Sequence, residues 1–205
     1  MAFNYLEGDL SEELTQEYLN SHSIAIDTET TGLNLHRDRL CLVQMANEKG
    51  VTTLVKINGK NTPNLKKVLE STSSIKIFHF ARFDLGILKS YLDIKVSNVY
   101  CTKIASKLVR TYTDKHSLKS VVSELIGAEM DKTSQSTDWA SSELSKAQLE
   151  YAASDVLYLI ELKDKLDHML SRENRVHLAS ECFKFLPTLI ELDLNGWDEH
   201  IFSHH

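Results

Sequence analysis

Three apolar runs set the pattern of the first third of the chain. SIAID from Ser23 is short and apolar, LCLVQMA from Leu40 is apolar at successive positions, and VTTLVKI from Val51 is β-branched. Each has the length of a strand. The second, apolar on both faces, fits a strand inside a covered sheet. Short polar links between the three predict an antiparallel meander. Ahead of them a helix is expected from just after Asp9 to about Asn20, with Glu12 placed to complete a capping box.

The pattern then alternates. Pro63 opens a helix that runs through about Glu70. IKIFHF reads as a strand, FDLGILKSYL as a helix, and VSNVYCT as a short strand leading into a helix that ends near Arg110. A meander followed by alternating helices and strands predicts an α/β fold. Its mixed sheet, an antiparallel meander plus parallel strands, is flanked by helices. From Ser117 onward everything reads helical. SLKSVVSELIG stops at Gly127, and residues 128–142 are polar and irregular. Ser145 and Gln148 form a capping box for a long helix reaching about Leu170. A last helix starts near Asn174, with Pro187 ending or kinking it. No repeat or linker divides the chain, so residues 1–205 are expected to form a single domain.

Composition narrows the function. The chain has 205 residues, 42% hydrophobic and 25% charged, values ordinary for a soluble globular protein. No run is apolar for long enough to cross a bilayer. The start, MAFNYLEGDLSEEL, lacks a signal peptide's basic end and apolar stretch. A cytoplasmic location with no membrane partner is expected. Cys41, Cys101 and Cys182 are far apart, with no CxxC, and HExxH is absent, so zinc and dithiol chemistry are disfavoured and the thiols read as buried and reduced. Acids outnumber bases 29 to 23, for a net charge of −6, and no dense Lys/Arg run exists. A protein that grips long nucleic acid usually carries a basic stripe. The balance favours a short substrate held in a pocket.

Five residues then stand out: Asp27 and Glu29 in IDTETTGL, Asp84 in FHFARFDLGIL, and Tyr151 and Asp155 in YAASDVLYL. A spacing of two on a strand puts Asp27 and Glu29 on one face, where they repel unless a cation lies between them. A spacing of four on a helix puts Tyr151 and Asp155 on one face, beside apolar or small Leu149, Ala152, Val156 and Leu159. Taken alone, Asp84 reads as a favourable first-turn charge.

In this order, IAIDTETTGL, FHFARFDLGIL and YAASDVLYL resemble the three motifs of the DEDD exonucleases, in the branch with tyrosine in its last motif. STDWASSELSKAQLEYAASDVLYL resembles ribonuclease D around its third motif. The resemblance covers about residues 24–162. There are departures. Ser141, Ser142 and Glu143 follow Ala140 where ribonuclease D often has an Arg-Pro pair. His79 and Phe80 stand where an Asn is frequent. The chain also stops where ribonuclease D continues into helical RNA-binding domains. Its length and motif set resemble the single-domain diribonucleases of the nano-RNase C family.

The resemblance implies a ribonuclease H-like fold. It implies a 3′–5′ exoribonuclease that degrades short single-stranded RNA, down to dinucleotides, to nucleoside 5′-monophosphates. It also implies a ring-shaped homo-oligomer, with an octamer as the candidate size. Two divalent cations, Mg2+ or Mn2+, are implied as well, and a donor set made only of oxygens suits them. Asp27 is assigned to bridge both ions, Glu29 and Asp155 to the first, and Asp84 to the second, directly or through water. Tyr151 is assigned to orient the attacking water, since a phenol pKa of about 10 is too high for a base.

Leu33 resembles a wedge between the last two bases, the alternative being a core leucine. Thr30 is a candidate donor to the terminal ribose or phosphate. His79, Phe80 and Phe83 either stack on a base or touch phosphate, or else pack against the sheet. Gln135 and Trp139 precede the third motif, and Trp139 either closes the pocket or packs. The tail of residues 176–202 holds more apolar side chains than one helical stripe needs. Residues 174–205 are therefore either core or subunit interface, and the implied ring favours the interface. Rival readings are trimming of structured RNA, a DNA-directed 3′–5′ exonuclease, and a catalytically dead nucleic-acid-binding protein, against which the intact five-residue set argues.

Overall fold

The computed structural model describes residues 2–130, 137–197 and 199–204. Its strands are β1 (Asn4–Glu7), β2 (Ser23–Thr30), β3 (Leu40–Asn47), β4 (Thr52–Lys56), β5 (Ile75–Phe78) and β6 (Val99–Cys101). They pair in the order β1-β4-β3-β2-β5-β6. β2, β3 and β4 form the expected antiparallel meander, and β1–β4, β2–β5 and β5–β6 are parallel. The helices are α1 (Glu12–Leu19), α2 (Pro63–Glu70), α3 (Ala81–Leu92), α4 (Thr102–Val109), α5 (Leu118–Leu125), α6 (Lys146–Leu157), α7 (Leu159–Arg172) and α8 (Val176–Leu194). None of the described helices is long and apolar enough to cross a membrane.

The period-two alternation of β2 splits the core into layers. Ile24 and Ile26 join Val43, Met45 and Val55 in a layer with Tyr18 of α1, Leu65 of α2, Leu88 of α3 and Ile190 of α8. Ala25 faces the other way, into a layer with Ala46, Ile77, Val156 of α6 and Leu162 of α7. Ala152 and Ala153 of α6 pack on Leu42 and Leu54 in the same layer, away from α3. Small side chains at Ala25, Ala46, Ala152 and Ala153 let this helix lie close to the sheet, which brings its polar edge within reach of the end of β2.

Four details differ from the sequence reading. The cap of α1 is Ser11, whose hydroxyl accepts from Leu14 N at 3.2 Å. Asp9 caps α2 instead, accepting from Asn64 N and Leu65 N at 2.8 Å each. Thr62 makes no side-chain cap bond to this helix, and the Asp9 carboxylate satisfies its free N–H groups instead. β1 was not foreseen, because NYLE is a four-residue edge strand without alternation. The long helix expected to Leu170 breaks at Tyr158 into α6 and α7. The break leaves the apolar stripe Ala152, Val156, Leu159, Leu162, Leu166 and Leu170 continuous, so periodicity cannot show it. Cys41 and Cys101 are buried thiols as expected, but Cys182 is exposed on α8.

One polar anchor shapes the rim of the site. Arg110, fully buried, pairs with Glu124 and donates from Nη1 to Ser106 Oγ (3.0 Å) and to the Lys115 carbonyl (2.7 Å). This fixes the α4–α5 connection, which carries Ser117 and Lys119 to the cleft described next.

Candidate active site

Asp27 and Glu29 project from the carboxyl end of β2 on the face covered by α6, opposite Gln44 and Leu42 respectively. Tyr151 and Asp155 lie one turn apart on α6, held in place by the capping box at its start. There Ser145 Oγ accepts from Gln148 N and the Gln148 side chain accepts from Ser145 N. Carboxylate oxygens of Asp27, Glu29 and Asp155 all lie within 4.8 Å of one another. Asp84 comes from the opposite layer. It is buried in the first turn of α3 and accepts from Thr28 Oγ1 at 2.7 Å. Thr28 points there because it alternates with Asp27 and Glu29 along the strand.

The electrostatics follow from this crowding. Burial first, then the charges of Asp84, Asp155 and Glu29, hold the Asp27 carboxyl well above the usual carboxylate range. Burial, then Asp155 and Asp84, push Glu29 up to about 9. Burial pushes Asp84 up to about 7, against the hydrogen bond from Thr28. The Tyr151 phenol is raised by burial and by the Asp155 carboxylate.

Asp27, Glu29 and Asp155 open onto a cleft of about 530 Å³ that is also lined by Thr30, Leu33, His79, Phe83 and Tyr151. Leu33 is 81% exposed, so it is a lip of the cleft and not a core leucine. Its turn is tightly built. Thr30 Oγ1 donates to the Gly32 carbonyl at 2.7 Å, and a Cβ on Gly32 would lie 2.3 Å from Asp38 Oδ2. The Asp38 carboxylate in turn accepts from Asn34 N at 2.9 Å.

His79 is a fixed wall. Its Nε2 carries the proton donated to the His116 carbonyl (3.0 Å), because a carbonyl only accepts, and its Nδ1 meets Thr102 Oγ1 at 2.9 Å. Phe80 does not line the cleft. It takes a left-handed backbone (φ 71°), turns its ring under Lys103 Nζ at 4.3 Å from the centroid, and borders a separate depression with Leu186 and Leu189. Trp139 is buried against Tyr151, their ring centroids 6.2 Å apart, so it both packs and walls the cleft. Gln135 lies outside the described residues.

Sequence reasoning missed Lys103, Lys119, Ser117, Thr31, Met130 and Thr137 on the cleft wall. Ser117 opens the expected helical stretch, but single lysines on α4 and α5 carry no spacing signal, and only the clamped α4–α5 connection brings Lys119 to the rim.

Residues 5–171 match the model of a family described as 3′-5′ exonuclease. DNA polymerase I of Aquifex aeolicus is 37% identical over 172 residues, covering 83% of this chain and 28% of that protein. Ribonuclease D of Gluconacetobacter diazotrophicus is 32% identical over 154 residues, covering 75% of this chain and 39% of that protein. The chain thus spans well under half the length of both curated relatives. Among solved structures, Brucella melitensis NrnC bound to pGG is 50% identical with a TM-score of 0.94, and NrnC with bound Mg2+ is 48% identical with a TM-score of 0.93. Both cover the whole of each chain.

Proposed function

The chain belongs to the 3′–5′ exonuclease family, and on that premise we propose that it is a divalent-metal-dependent exoribonuclease acting on RNA of a few nucleotides, down to dinucleotides. The observation that carries this reading is the meeting of Asp27, Glu29 and Asp155 within 4.8 Å at the floor of the cleft, with Asp84 behind them. Three carboxylates so close, two of them held well above their usual range, form a charge excess that a cation offsets. Every donor is oxygen, the choice of hard ions such as Mg2+ or Mn2+. Asp27 would serve both ions, Glu29 and Asp155 the first, and Asp84 the second, directly or through water. Bound there, such ions supply the charge that activates water and stabilises the leaving oxygen.

The chain's own groups supply the rest. Tyr151 keeps its proton, because burial and Asp155 both oppose ionisation, so its hydroxyl orients the attacking water and does not act as the base. Leu33 stands free to wedge between two bases, and Phe83 offers a ring on the same wall. His79 borders the substrate with both ring nitrogens already bonded to protein. The Thr30 hydroxyl spends its hydrogen on the Leu33 turn, which leaves its oxygen as an acceptor toward the terminal ribose. Phe80 contacts substrate only if it leaves the lysine beneath which it lies.

The short-substrate reading draws support from the cleft, whose size suits a small ligand, and from the net charge of −6. NrnC, 50% identical over its full length, binds pGG. We read residues 1–205 as one exonuclease domain working in the cytoplasm, and the exposed apolar residues Val176, Leu178, Phe185, Trp197, Ile201 and Phe202 as contacts to further copies in a ring. The 37% identity to a DNA polymerase I favours a second reading, a DNA-directed exonuclease. Labelled RNA and DNA of two, five and twenty nucleotides, with and without Mg2+, separate them. The first reading expects Mg2+-dependent cleavage fastest on the RNA dinucleotide. Equal rates at all RNA lengths would sink the length restriction, and faster cleavage of DNA would establish the second reading.

A further inference from the structure

Gln44 is a costly residue for its position. It sits in the middle of β3, fully buried, and neither its Nε2 nor its Oε1 has a hydrogen-bond partner. A buried amide left unpaired at both ends destabilises a fold, and a leucine or methionine of similar size would fill the space without that loss. Thr52, Lys56 and Glu29 share its face of the sheet only at diagonal positions, and its immediate neighbours are apolar with one exception. Leu54 lies opposite on β4, Leu42 and Ala46 lie two residues away along β3, and Ala152 and Ala153 of α6 cover this layer. The exception is directly across the antiparallel pair, where Gln44 faces Asp27. Directly opposed residues hold their Cβ atoms about 4.5–5.5 Å apart on one face, within the reach of a glutamine side chain.

We infer that Gln44 is a positioning residue for Asp27 in the cation-loaded site: its Nε2, unpaired here, turns to donate to the opposed Asp27 carboxylate and fixes the orientation in which that carboxylate serves cations. The inference rests on the metal-dependent reading above. A carboxylate has about four acceptor sites, so ligation leaves room for one donor from the protein. The donor comes from β3, a central strand buried along its whole length, and not from a loop. That position makes it rigid. Gln44 does not itself line the cleft, which separates its role from that of the residues that do.

The test uses the full chain with Gln44→Leu and Gln44→Met, the second giving a flexible side chain should the first fail to fold. Three quantities are measured: the thermal midpoint without metal, Mg2+ and Mn2+ affinity by titration calorimetry, and kcat and KM on an RNA dinucleotide. Removing the unpaired amide is expected to leave the metal-free midpoint unchanged or raised. Ion affinity is expected to fall by about tenfold or more, as for other residues that orient metal ligands. A parallel fall in kcat with little change in KM completes the expected result. A folded variant with wild-type ion affinity and kcat overturns the inference while leaving the metal-dependent reading intact. A wild-type protein that neither binds these ions nor cleaves RNA overturns both.

Discussion

Tyr151 shows how one side chain's environment decides its task. It lies on the cleft wall, one helical turn from Asp155, with Trp139 packed against its ring. A phenol there is harder to ionise than in water. Removing the hydroxyl while keeping the ring preserves that packing, and the carboxylate oxygens that converge at the site belong to Asp27, Glu29 and Asp155. Tyr151→Phe is therefore expected to bind Mg2+ as wild type does and to lose about 100-fold or more in kcat, the usual scale for a group that manages a proton or a water. Single-turnover kinetics beside metal titration checks this, and a variant of full activity would remove Tyr151 from the mechanism.

At the scale of elements, the site joins parts that arrive separately: the end of β2, the first turn of α3 and the middle of α6. The two spacings, two on a strand and four on a helix, made Asp27, Glu29, Tyr151 and Asp155 legible, because each depends only on local geometry. Asp84 was ambiguous alone, since nothing local tells a first-turn charge from a ligand, and it reaches the site from the other layer of the sheet. Phe80 stays open between substrate contact and packing for a similar reason. Its left-handed backbone turns the ring away from the cleft that its neighbours His79 and Phe83 line. Asp9 was given to the wrong helix, because a cap can act on a helix fifty residues away as readily as on the next one. α8 was legible as apolar but not in its allegiance. Ala179, Leu186 and Ile190 are buried, whereas Val176, Leu178 and Phe185 are exposed. The exposed set, continued by Ile201 and Phe202, is expected to bury itself in copies of the chain. Multi-angle light scattering should report an assembly that Phe185→Glu breaks down. A monomeric wild type would mean that these side chains serve another purpose.

The whole molecule carries the site's charge as a linkage. In unfolded chains Asp and Glu titrate near about 3.9 and 4.3. In the fold Glu29 is held up to about 9 and Asp84 to about 7. The folded, metal-free protein thus prefers these groups protonated. Their contribution is fully present below the unfolded values and is lost as pH rises through the folded ones. Metal-free protein is expected to lose thermal stability from about pH 5 to about pH 9. Mg2+ should restore it, by more at higher pH, because the ion binds the deprotonated ligands. Thermal scans with chelator and with Mg2+ across that range, beside Asp27→Asn as a control with a shallower slope, decide the matter. A metal-free midpoint that climbs over the range would contradict the assignment of the acids.

The lip at Leu33 has a thermal corollary. Gly32 and Asp38 hold an aliphatic side chain out in water, where its hydration shell stays in place until something flat and apolar covers it. Covering it releases about 1.5–3 kcal/mol, mostly as entropy near room temperature. A ligand that lies against Leu33 should bind with a negative heat-capacity change that shrinks in Leu33→Ala, whereas a single nucleotide that leaves Leu33 wet should not. Calorimetry at several temperatures would then distinguish a ligand that covers Leu33 from one that leaves it wet.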